Sequence, residues 1–308
     1  MAIGFIAGTG FEHLLSSDDR RRMTTPFGRF DYLIVKLGGQ NVVVIPRHGF
    51  GHEFSPFRLP TKAHLFGMRS LGVRRVLAAS SVASANDEMV PGDVVLPDQF
   101  IDLTKTRDTT FYHYDITVHT DMTEPFCRSM RRYLQRAWTE KRDITVHERG
   151  VYVATEGPRY QTPAEIQMIR RVGGDLVGQS AVPEAILARE LGLCYVLVAV
   201  VSSRAAGLQE RKDSREILDS IWSRSDSLRE LLVTAISDVA TSVRRGRCSC
   251  DSFEAGRLYH KLRYDVSDGV IRPEVHHAVR RPQSGQLGCQ STEEGEHPDA
   301  TQRRKGTH

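Results

Sequence analysis

Segment 154–204 constrains the fold more than any other part of this chain, because helix and strand patterns alternate along it. Thr162, with Glu165 three residues later, is typical of a helix start, and a pair of glycines ends that helix. Residues 175–177, with apolar Leu176 and Val177, then predict a short strand, and Pro183 opens a second helix. This alternation is typical of an open α/β sheet.

Polar residues stand at the ends of the strands that this segment predicts. Residues 178–180 follow the short strand, and Ser202, Ser203 and Arg204 follow a second strand, of the buried type, at 195–201. Open α/β sheets hold their ligands at strand ends. These polar residues are therefore candidates for a binding site.

Two strands in the first half of the chain also end in residues suited to an anion. The apolar run 3–7 breaks into a turn of two glycines around Thr9, where backbone amides and a hydroxyl can approach a ligand. The apolar run 75–79 ends in small residues around Ser81, which leave backbone N–H groups accessible. A plain turn uses the same residue types, so neither signal is specific alone.

A predicted hairpin joins strands at 32–36 and 41–45 through Gly38 and Gly39, and it ends in Arg47 and His48. Two basic side chains at the tip of a buried strand are costly unless an anion meets them. The remaining periodic segments predict helices at 60–71, 126–137 and 214–243 and strands at 94–96 and 150–154, with a polar loop at 102–115.

The totals narrow the class of protein. The 308 residues, 40% hydrophobic and 26% charged, fit one large α/β domain or two smaller ones. The net charge is only +4, with the basic surplus beyond Arg244, so nucleic-acid binding is not indicated. No signal peptide or membrane-spanning run is recognisable. The five cysteines lack paired metal spacing, so we expect reduced thiols, no metal and a cytoplasmic location.

Taken together, the motifs along residues 3–243 resemble the trimeric purine nucleoside phosphorylases, and most closely the methylthioadenosine phosphorylase branch. They are G-T-G, R-H-G, P-G-D, D-Q-F-I-D, E-P-F-C, E-G-P-R-Y and S-A-V-P-E-A-I-L-A-R-E. The resemblance implies a single α/β domain, residues 1–246, with a mixed central sheet flanked by helices. We expect a partly helical extension at 247–280 and, from composition, a disordered tail at 281–308.

The family also implies a reaction and a set of roles. Inorganic phosphate, the co-substrate, displaces a nucleobase from C1′ of a ribose through an oxocarbenium-like transition state, without cofactor or metal. The partners implied are a nucleoside, phosphate and two further copies of the chain in a homotrimer, where His119 reaches a neighbouring subunit's site. Carried over by position, the roles are phosphate binding for Thr9, Arg47, His48, the backbone at Ser81, and Ser180; ribose contact for Gln179, Tyr160 and His119; and base contact for Tyr160, Gln161, Ser203 and Arg204.

One departure from the family bears on the base. Adenine-specific members carry T-D-x-D where this chain has residues 202–205, so both carboxylates are gone. An amide at Gln161 and a guanidinium at Arg204 suit a uracil, which offers an N3–H and charged oxygens when it leaves. The chain also resembles divergent members that act on 5′-amino-5′-deoxyuridine in nucleoside-antibiotic pathways. A uridine-type substrate is therefore our first expectation.

Alternatives remain open at this point. The substrate is otherwise methylthioadenosine or a 6-oxopurine nucleoside, and a non-catalytic nucleoside-binding protein is the alternative from another class. Arg204 equally suits a surface salt bridge, His48 a supporting role beside the site, and Gln179 a solvated strand end. Acidic residues after the last buried strand, including Glu210, fit a solvated helix start as well as a 5′ pocket.

Overall fold

The computed structural model describes residues 3–12, 19–37, 39–112, 118–138, 144–210, 216, 219, 225–242, 250, 264–265 and 272–273. The strands are β1 (Ile3–Ala7), β2 (Arg20–Thr25), β3 (Gly28–Leu37), β4 (Gln40–Pro46), β5 (Arg75–Ser84), β6 (Val94–Val95), β7 (Gln99–Asp102), β8 (Val146–His147), β9 (Val151–Ala154), β10 (Leu176–Gly178), β11 (Cys194–Arg204), β12 (Tyr264–Asp265) and β13 (Arg272–Pro273). The helices are α1 (Thr61–Ser70), α2 (Arg128–Trp138), α3 (Pro163–Arg171), α4 (Ala181–Glu190) and α5 (Ser225–Ser242), with a 3₁₀ turn at Pro56–Arg58.

Strands β1 to β11 form one mixed sheet, as the resemblance predicted. Strands β4, β1, β5 and β11 run parallel in that order, and β2 and β3 extend the sheet antiparallel beyond β4. On its other flank β11 pairs with β6, and β6 with β8. The strands β10, β9 and β7 form the remaining arm.

The sheet opens beside β5, and this opening positions the site. Strand β1 pairs with β5 only as far as Ala79, and β10 pairs with the same flank of β5 only from Ala83. Strand β11 occupies the other flank along the whole length of β5. Residues 80–82 therefore have no strand partner on the flank where β1 and β10 diverge, and their backbone groups face the gap.

Two apolar layers cover the sheet. On one face α1 and α4 pack together, and large buried side chains such as Phe66, Leu187 and Tyr195 join one cluster. On the other face α2 packs on α5 around Trp138 and Leu231. Each such side chain contributes roughly 1.5–3 kcal/mol by leaving water, so the helices are fixed by their apolar faces. Among the described residues no helix is both long and apolar enough to cross a bilayer.

Several predicted bounds differ from the structure. Strand β5 runs on to Ser84 and β11 to Arg204, so the residues predicted to follow these strands lie inside them. Helix α4 begins at Ala181, before Pro183. The prediction missed β2, whose R-R-R-M-T-T sequence lacks an apolar alternation, and it also missed the short strands β7 and β8.

Other predictions agree with the structure or lie beyond its described part. The hairpin of β3 and β4 forms, and Gly39 adopts φ 73° in its turn. Thr162 and Glu165 make the predicted reciprocal cap at the start of α3. Gly38, residues 253–263 of the extension and the tail at 281–308 lie outside the described residues. Tyr264 begins strand β12.

Candidate active site

A cavity of about 610 Å³ lies at the opening of the sheet beside β5. Every predicted site residue except His119 lines it: Thr9, Arg47, His48, Ser81, Tyr160, Gln161, Gln179, Ser180, Ser203 and Arg204. They come from the ends of β1, β4, β10 and β11, from the middle of β5 and from the loop before α3. The fold thus gathers residues that are far apart in sequence.

Arg47 is held at the floor of this cavity by a close backbone approach. Its main-chain N–H donates to the Ala7 carbonyl at 2.7 Å, and its Nη1 donates to the Ala79 carbonyl at 2.8 Å. A Cβ on Gly8 would collide with Nη1 of Arg47 and would stand 2.6 Å from the Ala79 oxygen. Only glycine fits beside the guanidinium, which explains the glycine before Thr9.

A buried glutamate neutralises Arg47. The Nε of Arg47 donates to Glu184 Oε1 at 2.6 Å and its Nη2 to Oε2 at 3.0 Å, while the Tyr195 hydroxyl donates to Oε2 at 2.7 Å. Burial alone would lower the pKa of Arg47, but the opposite charge and hydrogen bonds of Glu184 outweigh it and raise that pKa. The pair fixes the guanidinium plane, and a guanidinium with five N–H groups keeps one on each Nη for a ligand.

Sequence reasoning assigned Glu184 no role. It stands in the motif S-A-V-P-E-A-I-L-A, where it is the one charged residue in an apolar helix start, and it is completely buried. A charge at a buried helical position requires a partner, which was the available signal. The partner, Arg47, is 137 residues away, so spacing gave no indication of it.

His48 is a buried neutral imidazole. Its Nδ1 lies 2.7 Å from the Phe54 carbonyl, which can only accept, so Nδ1 carries the proton and Nε2 is left as an acceptor. Burial lowers the pKa of His48 to about 4, in spite of the hydrogen bond to Phe54. Its ring stacks on His52 with the centroids 4.6 Å apart. His52, which also lines the cavity, was not predicted.

The start of α4 provides donors near Arg47. Ser180 is the N-cap residue, yet its hydroxyl makes no capping hydrogen bond. The N–H groups of Ser180 and Ala181 point at the Tyr152 hydroxyl, at 3.4 and 3.5 Å. The start of a helix also carries the positive end of the helix dipole, which favours anions. Ser180, Thr9, Arg47 and the open backbone of β5 together suit a tetrahedral anion.

Amides and hydroxyls also line the cavity. Gln161 donates through Nε2 to the Thr155 hydroxyl at 2.7 Å, so its Oε1 remains as an acceptor. Ser203 is buried in the cavity wall, whereas Tyr160 is 59% exposed. Gln179 donates to the Arg159 carbonyl at 3.0 Å, and Gly157 leaves room for its amide. Gln179 is thus anchored within the protein.

The guanidinium of Arg204 contacts Asp87 while the residue lines the cavity. Its Nη1 lies 3.2 Å from Asp87 Oδ1, and its Nη2 donates to the Asp87 carbonyl at 3.1 Å. Asp87 also binds Arg170 at 2.6 Å. The ion pair with Asp87 is the salt bridge that the sequence left open as an alternative, and the contact of Arg204 with the base stays a prediction.

His119 is exposed and does not line the cavity of a single chain. The expectation placed it in the site of a neighbouring subunit, so it stays a prediction. Glu210, one of the acidic residues considered for a 5′ pocket, does line the cavity as an exposed carboxylate.

Comparisons with known proteins show the family of the chain. A family model described as the phosphorylase superfamily matches residues 2–237. A probable S-methyl-5′-thioinosine phosphorylase of Methanopyrus kandleri is 45% identical over 235 residues, covering 76% of this chain and 90% of the relative. A probable 6-oxopurine nucleoside phosphorylase of Moorella thermoacetica is 39% identical over 263 residues, covering 84% of this chain and 99% of the relative. A structure of methylthioadenosine phosphorylase from Schistosoma mansoni in complex with adenine has a TM-score of 0.75 and 29% identity, covering 84% of this chain and 96% of that chain.

Proposed function

Because the chain belongs to the phosphorylase superfamily and is a nucleoside phosphorylase, a pentosyltransferase, we propose that it cleaves 6-oxopurine nucleosides, with a 5′-methylthio nucleoside of the S-methyl-5′-thioinosine type preferred. The observation that carries this proposal is that the cavity lining holds both an acceptor, Gln161 Oε1, and a hydroxyl, that of Ser203.

Phosphate binds at the end of the cavity that holds Arg47. The N–H groups that remain on Arg47, the hydroxyls of Thr9 and Ser180, and the open backbone at Ser81 donate to its oxygens. The neutral His48 accepts from a protonated phosphate oxygen through Nε2. Glu184 limits the net charge of this end, so that phosphate meets a fixed donor array without an excess of buried cation.

In the reaction, a phosphate oxygen approaches C1′ of the ribose from the floor of the cavity. The C1′–N9 bond breaks, its electron pair goes to the purine, and a C1′–O bond to phosphate forms. The anionic phosphate stabilises the positive charge that develops on the sugar, and hydrogen-bond donors at the base stabilise the departing purine. Holding both reactants in this line is the main contribution of the protein.

The base edge distinguishes the candidate substrates. Hypoxanthine presents an N1–H donor next to the O6 acceptor, and Gln161 Oε1 with the Ser203 hydroxyl complements that pair. Adenine presents an unprotonated N1, which cannot donate to Gln161 Oε1, and a 6-amino donor, which suits a carboxylate; no carboxylate stands at residues 202–205. The relatives named for S-methyl-5′-thioinosine and 6-oxopurine nucleosides support the same choice.

A uridine-type substrate is the second candidate. Uracil has an N3–H flanked by carbonyls, so it can donate to Gln161 Oε1 as the N1–H of a 6-oxopurine can. The guanidinium expected to assist it, that of Arg204, lies on Asp87. Glu210 in the cavity wall is the observation that favours a 5′-amino group, because a carboxylate pairs with an ammonium.

The experiment compares substrates side by side. The enzyme is incubated with phosphate and with equal concentrations of inosine, S-methyl-5′-thioinosine, methylthioadenosine, uridine or 5′-amino-5′-deoxyuridine, and the free base is identified by chromatography. We expect hypoxanthine release to exceed release of the other bases by at least about tenfold in kcat/KM. Faster release of uracil or adenine would contradict the proposed base specificity.

We also propose that the enzyme works as a homotrimer with His119 completing a neighbouring site. The support is that His119 is exposed in the single chain and carries no contact to the cavity. Light scattering should give three times the chain mass of 34.6 kDa. His119→Ala should raise KM for the nucleoside and leave the oligomer intact, whereas an active monomer would contradict the proposal.

A further inference from the structure

Three cysteines from separate parts of the chain converge in the core. Cys127 precedes α2, Cys194 is the first residue of β11, and Cys250 follows α5. Their sulfur atoms all lie within 4.8 Å of one another, and all three side chains are buried. The spacing of these cysteines in the sequence gave no sign of this convergence, and the reaction makes no use of it.

The geometry points to a binding site for one thiophilic d¹⁰ cation, Zn²⁺ or Cu⁺, held by the three sulfurs of Cys127, Cys194 and Cys250; we propose this as a structural metal site. Thiolates are the ligands that both ions prefer. With Zn–S bonds of about 2.3 Å, tetrahedral sulfurs stand about 3.8 Å apart. The observed separations between the sulfurs need to shrink by roughly 1 Å at most, which small rotations of the cysteine side chains can achieve.

The cluster has rigid support. The N–H of Cys127 donates to the Tyr195 carbonyl at 2.8 Å, so the segment before α2 is bonded to the start of β11. All three cysteines belong to the apolar layer between the sheet and helices α2 and α5. Cys127 and Cys194 therefore present their sulfurs from two segments that the backbone joins directly.

The guanidinium of Arg189 places a positive charge next to the three sulfurs. Nη1 of Arg189 lies 3.4 Å from Cys250 Sγ, and its Nη2 donates to the Glu124 carbonyl. On metal binding, each S–H bond breaks, an S–metal bond forms and the proton passes to solvent. Three thiolates and Zn²⁺ carry a net charge of −1, and with Cu⁺ the net charge is −2. The guanidinium offsets one of these charges, which makes burial of the complex less costly.

The number of sulfurs favours a metal over a disulfide. A disulfide joins two sulfurs and leaves the third cysteine of the cluster without a function, whereas a metal uses all three.

The cluster also lies away from the cavity. Arg189 is in the last turn of α4, and the first residue of α4 follows Ser180, which lines the cavity. Ten helical residues span about 15 Å, so the ion would fix Cys250 to the sheet without touching substrate.

The test uses the full chain with Cys248→Ser and Cys289→Ser, which leaves the clustered thiols as its only cysteines. Under a phosphine reductant and without oxygen, separate samples receive Zn²⁺ or Cu⁺, are desalted and are analysed for metal by mass spectrometry. We expect about one ion per chain in at least one arm, and the arm that retains it identifies the ion. The matched variant with Cys194→Ser added should retain less than about a tenth as much.

Cobalt keeps the test decisive if Cys194→Ser fails to fold. Co²⁺ bound by the folded parent protein should give sulfur-to-metal charge-transfer absorption, and Zn²⁺ or Cu⁺ should displace it. Retention of neither ion, equal retention by folded Cys194→Ser, or a cobalt spectrum without sulfur charge transfer would overturn the proposal. So would a reduced protein that takes up no ion but forms a disulfide within the cluster in air.

Discussion

Replacing Glu184 by glutamine tests how Arg47 is held. The substitution keeps the shape of the side chain but removes the negative charge that faces a fully buried guanidinium at 2.6 and 3.0 Å. Removing one partner of a buried ion pair costs about 3–5 kcal/mol. At roughly 2–4 °C per kcal/mol for a domain of this size, Glu184→Gln should lower Tm by about 6–20 °C.

The same variant distinguishes a phosphate site from a purely structural pair. With its internal counter-charge removed, Arg47 gains more from an external anion, so phosphate should raise the Tm of Glu184→Gln by more than it raises that of the unmodified enzyme. Differential scanning fluorimetry with and without phosphate measures both shifts. Glu165→Gln is the matched control, because Glu165 pairs with Arg159 at the surface and an amide preserves its capping bond to Thr162.

A Glu184→Gln protein with the Tm of the control would refute the reasoning about the buried pair. If Glu184→Gln loses the predicted Tm but phosphate raises its Tm no more than it raises that of the unmodified enzyme, the two claims separate. The ion pair would then be structural, and phosphate would bind elsewhere.

Three further predictions address pH, packing and the base. Burial lowers the pKa of His64 to about 3 from 6.5. Below pH 6.5 the unfolded chain therefore binds a proton at this histidine that the folded chain does not bind, so the free energy of unfolding falls as pH falls. In His64→Leu this fall between pH 6 and 5 should be shallower by up to about 1.4 kcal/mol per pH unit, measured by urea unfolding, and an unchanged slope would contradict it. Gly8→Ala displaces the guanidinium of Arg47 and should raise KM for phosphate by at least about tenfold; an unchanged KM for phosphate would show that Arg47 does not contact it. Ser203→Asp should shift kcat/KM toward methylthioadenosine relative to S-methyl-5′-thioinosine, while Arg204→Gln should change either by less than about threefold; the opposite ranking would place Arg204 rather than Ser203 at the base.

Local patterns predicted most of the elements near the site. The helix start at Thr162, the β3–β4 hairpin and the buried strands β1 and β11 all follow from residues close together in sequence. Such signals depend on backbone preferences that act within a few residues. The gathering of Thr9, Arg47 and Ser180 in one cavity was expected from motif resemblance, and the sheet geometry agrees with it.

What the sequence did not reveal depends on long-range contacts. Glu184 and Arg47 meet across 137 positions, and Cys127, Cys194 and Cys250 meet from three separate segments of the chain. The orientation of Arg204 depends on Asp87, which follows a different strand. Strand β2 gained its place from pairing with β3, through Asp31 contacts to Arg20 and Arg22, and not from an apolar pattern. Periodicity contains no information about such pairs.

The most direct test of the account follows the phosphate itself. S-methyl-5′-thioinosine is incubated with the enzyme and isotopically labelled phosphate, and the sugar product is isolated. The account predicts label on C1′ as a sugar 1-phosphate, formed in a one-to-one ratio with hypoxanthine, and no base release when phosphate is omitted. Equal release of hypoxanthine without phosphate, with an unlabelled free sugar as product, would contradict it.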